Sequence, residues 1–546
     1  MIGRNYVTSA NKHVDRTWAL LIALLVLVLS VPVLTILFKF FEGPGESWGH
    51  IVEHLLADYL LNSLFLVVVS GTLALVLGVV PAWLLSRYEF PFRRTLEWTL
   101  ILPLAIPNYL TASAYAGFFD YSGPFQNLII WITGVEGAGK IDFMHIWGLA
   151  VILAVSLYPY VYVTTRSFFL NQSGAELNSA ILLGSGEFAV FWRIALPMAR
   201  PAVAGGLFLV LMEVLNDYGA AHYFGINTFT TAIFRSWFSL EEPDTSVYLA
   251  ALLCLFVFGL VMLERYQRRR KGYQFRSSTV DMARLKPTTG RQLLLLLACC
   301  IPLLLGFLLP LFQMGYWGML TAGSIDLSGI AGMIGSSFLL ASLTALICIS
   351  VSYLLIYGSR WSKSRNVMFS SRIAVLGYAV PGVVIAVGIL IPSLVFDKWL
   401  VNMMQTTFGQ SIGFLINGTI IGLLFAYCVR FLAVSHNPIE ANVKKLGPSL
   451  GHASQILGAS KWRRTFEVNL PLLNRGLLSG AILVFVDVMK ELPLTLLLKP
   501  YGVMTLATKA YEYASDERIA ESAVPSLIII AVGVLPIILL NKLLKK

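Results

Sequence analysis

Apolar residues fall in long blocks along this chain, separated by short polar segments. Runs of roughly twenty residues recur at 18–40, 59–85, 96–118, 145–169, 201–222, 246–263, 292–314, 334–357, 372–395, 414–435, 475–498 and 522–541. A helix of that length matches the hydrocarbon thickness of a bilayer. It also satisfies its own backbone hydrogen bonds, which lipid cannot do. The pattern predicts an all-α polytopic membrane protein with about twelve transmembrane helices. The first run follows Arg4, Lys12 and Arg16 and lacks a small-residue cleavage site, so it reads as an uncleaved span rather than a signal peptide.

Composition agrees, with 57% hydrophobic and only 13% charged residues. The five cysteines all lie in apolar runs and none forms a CxxC pair, so they read as small packing residues rather than a disulfide or zinc framework. The formal charge of +11 is unevenly placed. Arg87, Arg93, Arg94, the run Arg268–Lys271, Lys461, Arg463 and Arg464 occupy alternate loops. Glu42, Glu46, Glu53, Glu241, Glu242 and Asp244 occupy the others. Basic loops stay cytoplasmic, so the excess is a topology signal that puts both termini inside, and it argues against a nucleic-acid partner.

The chain also repeats itself. Shifted by 274 residues, Pro107 meets Pro381, Gly184 meets Gly458 and Leu196-Pro197 meets Leu470-Pro471. Gly206 meets Gly480, and Glu213 and Asp217 meet Asp487 and Glu491. Six spans per copy give both copies the same orientation, so the repeats are parallel. The expected domains are a first repeat over 1–263 and a second over 292–546, joined by a basic cytoplasmic linker at 264–291.

Two loops stand out, 171–201 and 440–473. Each holds a short amphipathic segment, a glycine, nine residues, and then Ile-Ala-Leu-Pro or Val-Asn-Leu-Pro. Gly184 and Gly458 suit a break between short helices, because glycine accepts positive φ. Pro197 and Pro471 are expected to end or redirect the chain as it enters the next span.

This pattern resembles the coupling loop of binding-protein-dependent ABC importer permeases, and its double occurrence resembles the fused, two-repeat members of that family. The resemblance implies a type I-like fold and a loop that docks on an ATPase. The family motif opens with Glu-Ala-Ala, whereas this chain reads Asn178-Ser179-Ala180 and His452-Ala453-Ser454, so a contact through that glutamate is missing twice. The segments "LMEVLNDYGAAHYFGINTF", "FVDVMKELPLTLLLKPYG" and "LPLAIPNYLTASAYAGFFDYSGPFQ" look like the ferric-iron branch. The implied partners are two copies of a cytoplasmic ABC ATPase, which carry the ATP and Mg, and a substrate-binding protein on the outer side. This chain itself is expected to bind no cofactor and to be no enzyme, working by alternating access in a bacterial inner membrane. Permeases for thiamine, polyamine or phosphonate remain open. A proton-coupled secondary transporter is the reading from another class, and it leaves the paired loops unexplained.

The intramembrane charges are the candidate pathway. Glu213 and Asp217 are four apart, as are Asp487 and Glu491, so on a continuous helix each pair shares a face. Lys490 follows Asp487 by three and can neutralise part of its copy. Charges at bilayer depth are costly, so they either line a path or form fixed internal contacts. A hard trivalent cation favours such oxygen ligands, and the sequence leaves the two roles open.

Two weaker signals are set aside. "GVEGAGKI" (134–141) nearly matches a phosphate-binding loop but ends on Ile141 without the hydroxyl for magnesium. His50 and His54, spaced four apart near Glu53 and Asp58, read as part of a solvated outer loop.

Overall fold

The structure is a computed structural model that describes residues 7–135, 141–171, 179–269, 284–321, 323, 327–362, 365–410, 412–445, 454, 456–458, 460 and 463–544. Asn178, His452 and Ala453, the middle of the 134–141 loop, and much of the linker lie outside these residues. The helices used below are α1 (Val7–Phe40), α2 (Leu56–Arg87), α3 (Asn108–Phe119), α4 (Ile146–Asn171), α5 (Leu196–Asn216), α6 (Phe229–Phe238), α7 (Pro243–Arg269), α8 (Thr289–Leu303), α9 (Leu309–Thr321), α10 (Leu327–Ser362), α11 (Gly382–Phe408), α12 (Ile420–Lys445), α13 (Asn474–Met489), α14 (Pro493–Leu498), α15 (Leu506–Ser515) and α16 (Ala523–Leu544). Ten helical stretches among the described residues are long and apolar enough to cross a membrane.

The other two expected spans are present but interrupted. The 96–118 segment breaks where Ile106 and Pro107 turn extended, before α3 begins. The 475–498 segment breaks at 490–492, between α13 and α14. Proline has no N–H to donate and restricts the residue before it, so the helix stops on the N-terminal side of Pro107 and Pro493.

Packing divides the chain into two compact units that do not follow sequence order. The first comprises Met1–Gly45, Pro243–Ala251 and Asp326–Thr508, and the second Glu46–Glu242, Leu252–Ile325 and Lys509–Lys546. Within the first unit α1 lies against α10 and α11. A Cβ on Gly388 would sit 2.4 Å from the Pro32 carbonyl oxygen, and one on Gly358 would meet Ile22 at 2.6 Å. Within the second unit α8 and α9 pack with elements of the first repeat, and a Cβ on Gly306 would lie 2.3 Å from the Val155 carbonyl oxygen. Small residues bring helix backbones close in lipid, where apolar burial between helices gives little drive.

The repeat is visible as matched contacts inside each unit. Gly206 on α5 faces Val161 on α4, and Gly480 on α13 faces Ser435 on α12, the same pair shifted by 274. The Thr228 and Thr505 side chains each accept the backbone N–H of the threonine three residues later, and the Phe229 and Leu506 amides donate to Ser63 and Ser337.

One buried acid was not anticipated. Asp397 on α11 is fully buried and accepts the backbone N–H groups of Leu415, Ile416 and Asn417, the last at 2.7 Å. Asp397→Ala leaves those donors without acceptors, at about 1–3 kcal/mol for each group that stays buried. Lower thermal stability, read by gel filtration after heating, is the expected outcome. Asp397→Asn, which keeps one acceptor oxygen, should lose less.

Candidate translocation and coupling sites

The first acid of each pair lies in a helix and the second lies beyond its end. Helix α5 ends at Asn216 with Asp217 extended, and α13 ends at Met489. Asp217 and Glu491 therefore do not share a helical face with Glu213 and Asp487, as a continuous helix would require. Tyr218-Gly219 and Leu492-Pro493 interrupt the helix at matched positions and start a second short one.

Both displaced acids cap that second helix. Asp217 Oδ1 accepts the backbone N–H of Ala220 and of Ala221 at 3.1 and 3.0 Å. Glu491 Oε1 accepts the Leu494 N–H at 3.3 Å. Acidic side chains at helix N-termini satisfy free donors and complement the helix dipole.

Their lateral partners differ between the copies. Asn108, the first residue of α3, donates to Asp217 at 3.1 Å. The matching position in the second repeat is Gly382, and there Arg430 from α12 reaches Glu491 with an N–O distance of 3.4 Å. A Cβ at 382 would lie 2.8 Å from the Arg430 guanidinium and 3.1 Å from Glu491. Glycine thus leaves the room that the arginine fills. Arg430 and Glu491 are 5% and 7% exposed. The sequence signal for Arg430 is its position as the lone charge in the apolar 414–435 run, less conspicuous than the charge cluster downstream.

Asp487 and Lys490 pair at 3.0 Å and stay about a quarter exposed. Glu213 is half-buried on α5. Among the described residues no group of three or more His, Cys, Asp or Glu is placed to hold a metal. The His50 and His54 rings lie tilted, with centroids 4.7 Å apart, and His54 lies 3.9 Å from Glu53.

The loop glycines take the left-handed backbone, Gly184 with φ +86° and Gly458 with φ +77°. At the first, the Ser185 N–H donates to Ala180 and the Gly184 N–H to Ile181. That pair of bonds is the Schellman stop, which glycine favours. Ser179 belongs to the same short turn, and its carbonyl accepts the Leu183 N–H at 3.0 Å. Ala180 and Ser454, also matched by the repeat, are both buried at 8% exposure, which turns the opposite face outward. Leu182 and Leu183 are 88% and 86% exposed, and Ile456 and Leu457 85% and 86%. In the sequence these apolar pairs stand directly before the glycine of each loop, as Leu182-Leu183 and Ile456-Leu457.

Pro197 does not end the helix, whereas near Pro471 the helix breaks two residues on, at Leu473, before α13 begins. The chain is helical from Glu187 to Asn216, with Pro197 just after a π-helical turn at Phe191–Ala195. Leu470 and Pro471 likewise follow a π turn, at Arg464–Asn469. A π turn absorbs the clash that a proline ring makes with the carbonyl four residues back. The first loop is anchored by Arg87, 1% exposed, whose guanidinium grips Glu187 at 2.9 and 3.2 Å. In the second, Arg463 donates to Glu467 at 2.7 Å, which holds its pKa above the ordinary arginine value.

Residues 74–269 and 351–546 each match the family described as binding-protein-dependent transport system inner membrane component. The chain belongs to that family. It is a fused, two-repeat ABC permease, similar over 96% of its length, at 25% identity, to the Fe(3+)-transport system permease protein FbpB 2 of Haemophilus influenzae, of which 97% is covered. The sulfate transport system permease protein CysT of Escherichia coli is 29% identical over 36% of this permease and 73% of its own length. A probable sulfate permease of Chlorokybus atmophyticus is 26% identical over 39% of this chain and 73% of its own. The family resemblance read from the two Gly…Leu-Pro loops is therefore correct, and the all-helical two-repeat architecture with it.

Proposed function

We propose that this permease imports ferric iron, handed over by a binding protein on its outer face and driven by two ABC ATPases at the 171–201 and 440–473 loops. One observation carries the substrate: similarity to a protein named as an Fe(3+) permease runs through both repeats and nearly the whole chain. The sulfate relatives named above align over little more than a third of it. An acidic lining also suits a hard cation better than an anion.

Within this reading the intramembrane charges divide by role. Asp217 and Glu491 hold the short helices in place. Glu213 and the Asp487–Lys490 pair, which cap no short helix, face the ion's route, and Lys490 keeps the second acid from trapping it. The placement of Arg and Lys in the loops supports a cytoplasmic location for both termini.

The test is reconstitution with the cognate ATPase and binding protein. Iron-loaded binding protein should stimulate ATP hydrolysis and iron uptake, whereas sulfate, thiamine or polyamine should not. Asp487→Asn and Glu213→Gln should lower uptake at least tenfold while the complex still assembles. Stimulation by sulfate in place of iron would overturn the substrate assignment.

A further inference from the structure

In the second unit, two adjoining cavities lie where α2 ends and the linker returns. The first, about 940 Å³, is walled mainly by apolar side chains, including Trp83, Phe188, Phe191, Trp192 and Leu294, with Lys286 and Arg291 at its edge. The second, about 630 Å³, is polar and carries Arg94, Arg284 and Lys286 beside Glu89. Lys286 lines both, so the apolar and the basic space meet at one side chain.

The wall is built, not incidental. The Glu89 N–H donates to the Leu285 carbonyl at 2.9 Å, and the Leu285 N–H to the Arg87 carbonyl at 3.0 Å. The end of the linker is thereby pinned against α2, and Lys286 is held over the gap. The local acids are already engaged. Glu187 is gripped by Arg87, and Glu89 lies 3.2 Å from Arg93 and 3.8 Å from Arg284. Arg94, Lys286 and Arg291 make no ion pair among the described residues and are exposed. The net field at the mouth is positive.

We propose that these cavities form a site for one anionic phospholipid, its phosphate on Lys286, Arg291 and Arg94 and its acyl chain along Trp83, Phe191 and Leu294. A basic recess at the end of a spanning helix sits at headgroup depth, and each nearby Lys or Arg strengthens attraction to anionic lipid. In the orientation proposed above this is the cytoplasmic leaflet, and only that placement rests on the functional reading. Phe188, Phe191 and Trp192 belong to the first coupling loop, so an occupied site braces that loop against α2 and the linker. At positions matched by the repeat, Trp361 and Lys461 replace Arg87 and Glu187, so the second loop lacks the anchoring ion pair.

The experiment is native mass spectrometry of the purified, detergent-solubilised complex titrated with phosphatidylglycerol or phosphatidylcholine. Phosphatidylglycerol should be retained and phosphatidylcholine should not. Lys286→Gln with Arg291→Gln should weaken retention roughly tenfold or more, and Arg94→Gln by less. All three side chains are exposed, so gel filtration and melting in neutral lipid should match the parent. Equal retention of the two lipids, or retention unchanged in both variants, overturns the site. Displacement by inorganic phosphate would assign it to a soluble anion instead. Displacement when the ATPase assembles would assign the apolar cleft to that protein. None of these outcomes depends on which substrate is transported.

Discussion

Replacing Arg430 with methionine is expected to destabilise the permease by about 3–5 kcal/mol, the usual consequence of stranding one partner of a buried ion pair. Glu491, at 7% exposure, would lose the guanidinium beside it. The measurement is the fraction of monodisperse protein surviving a heat step, compared with the parent. Adding Glu491→Gln removes the stranded charge and keeps an oxygen for the Leu494 N–H, so the double variant should recover most of the loss. Its transport then separates the two roles that the sequence left open. If the double variant folds, assembles with ATPase and still transports, Glu491 holds helices. If it folds and assembles but no longer moves iron, Glu491 belongs to the path, and the division of roles proposed above fails.

The contrast between Glu491 and Asp487 marks how far the chain can be read without coordinates. A 274-residue shift exposes the repeats because it needs only residue identity. Pro107 and Pro493 announce breaks because their effect on the backbone is local. The partner of Glu491 comes from 61 positions upstream, and nothing in "AYCVRFLAV" says which acid Arg430 will meet. Asp397 is similar, since its three donors lie across a loop whose path depends on packing.

The compact units are the largest feature that periodicity did not reveal. Span patterns and repeat offsets follow descent, whereas α1 packs with α10 and α11 of the later repeat, and α8 and α9 pack with elements of the earlier one. Gly388, Gly358 and Gly306 mark tight contacts between these elements. Glycines in apolar runs are common enough that none of these, taken alone, would name its neighbour.

The coupling loops give the second large effect. Replacing Leu182 and Leu183 with aspartate should abolish recovery of the ATPase with the permease and reduce transport to background, while the permease itself stays folded. The reasoning starts from exposure: both side chains face outward at more than 85%, so their loss removes no internal packing. Two leucines left in water on a short turn, stopped by a left-handed glycine, are placed to enter an apolar groove on a partner. Burying each fully would contribute about 1.5–3 kcal/mol. Charge in that groove reverses the sign of the contact. Ile456→Asp with Leu457→Asp makes the matching change in the second repeat, and the comparison is informative because the first loop is tied down by the buried Arg87 through its ion pair with Glu187, whereas the matched positions of the second are Trp361 and Lys461. A loop already held in shape has less order to lose on docking. The first pair of substitutions should therefore weaken ATPase recovery more than the second. An equal loss from both would mean that anchoring adds nothing to docking. No loss from either would place the ATPase contact elsewhere, and with it the reading of these loops as couplers.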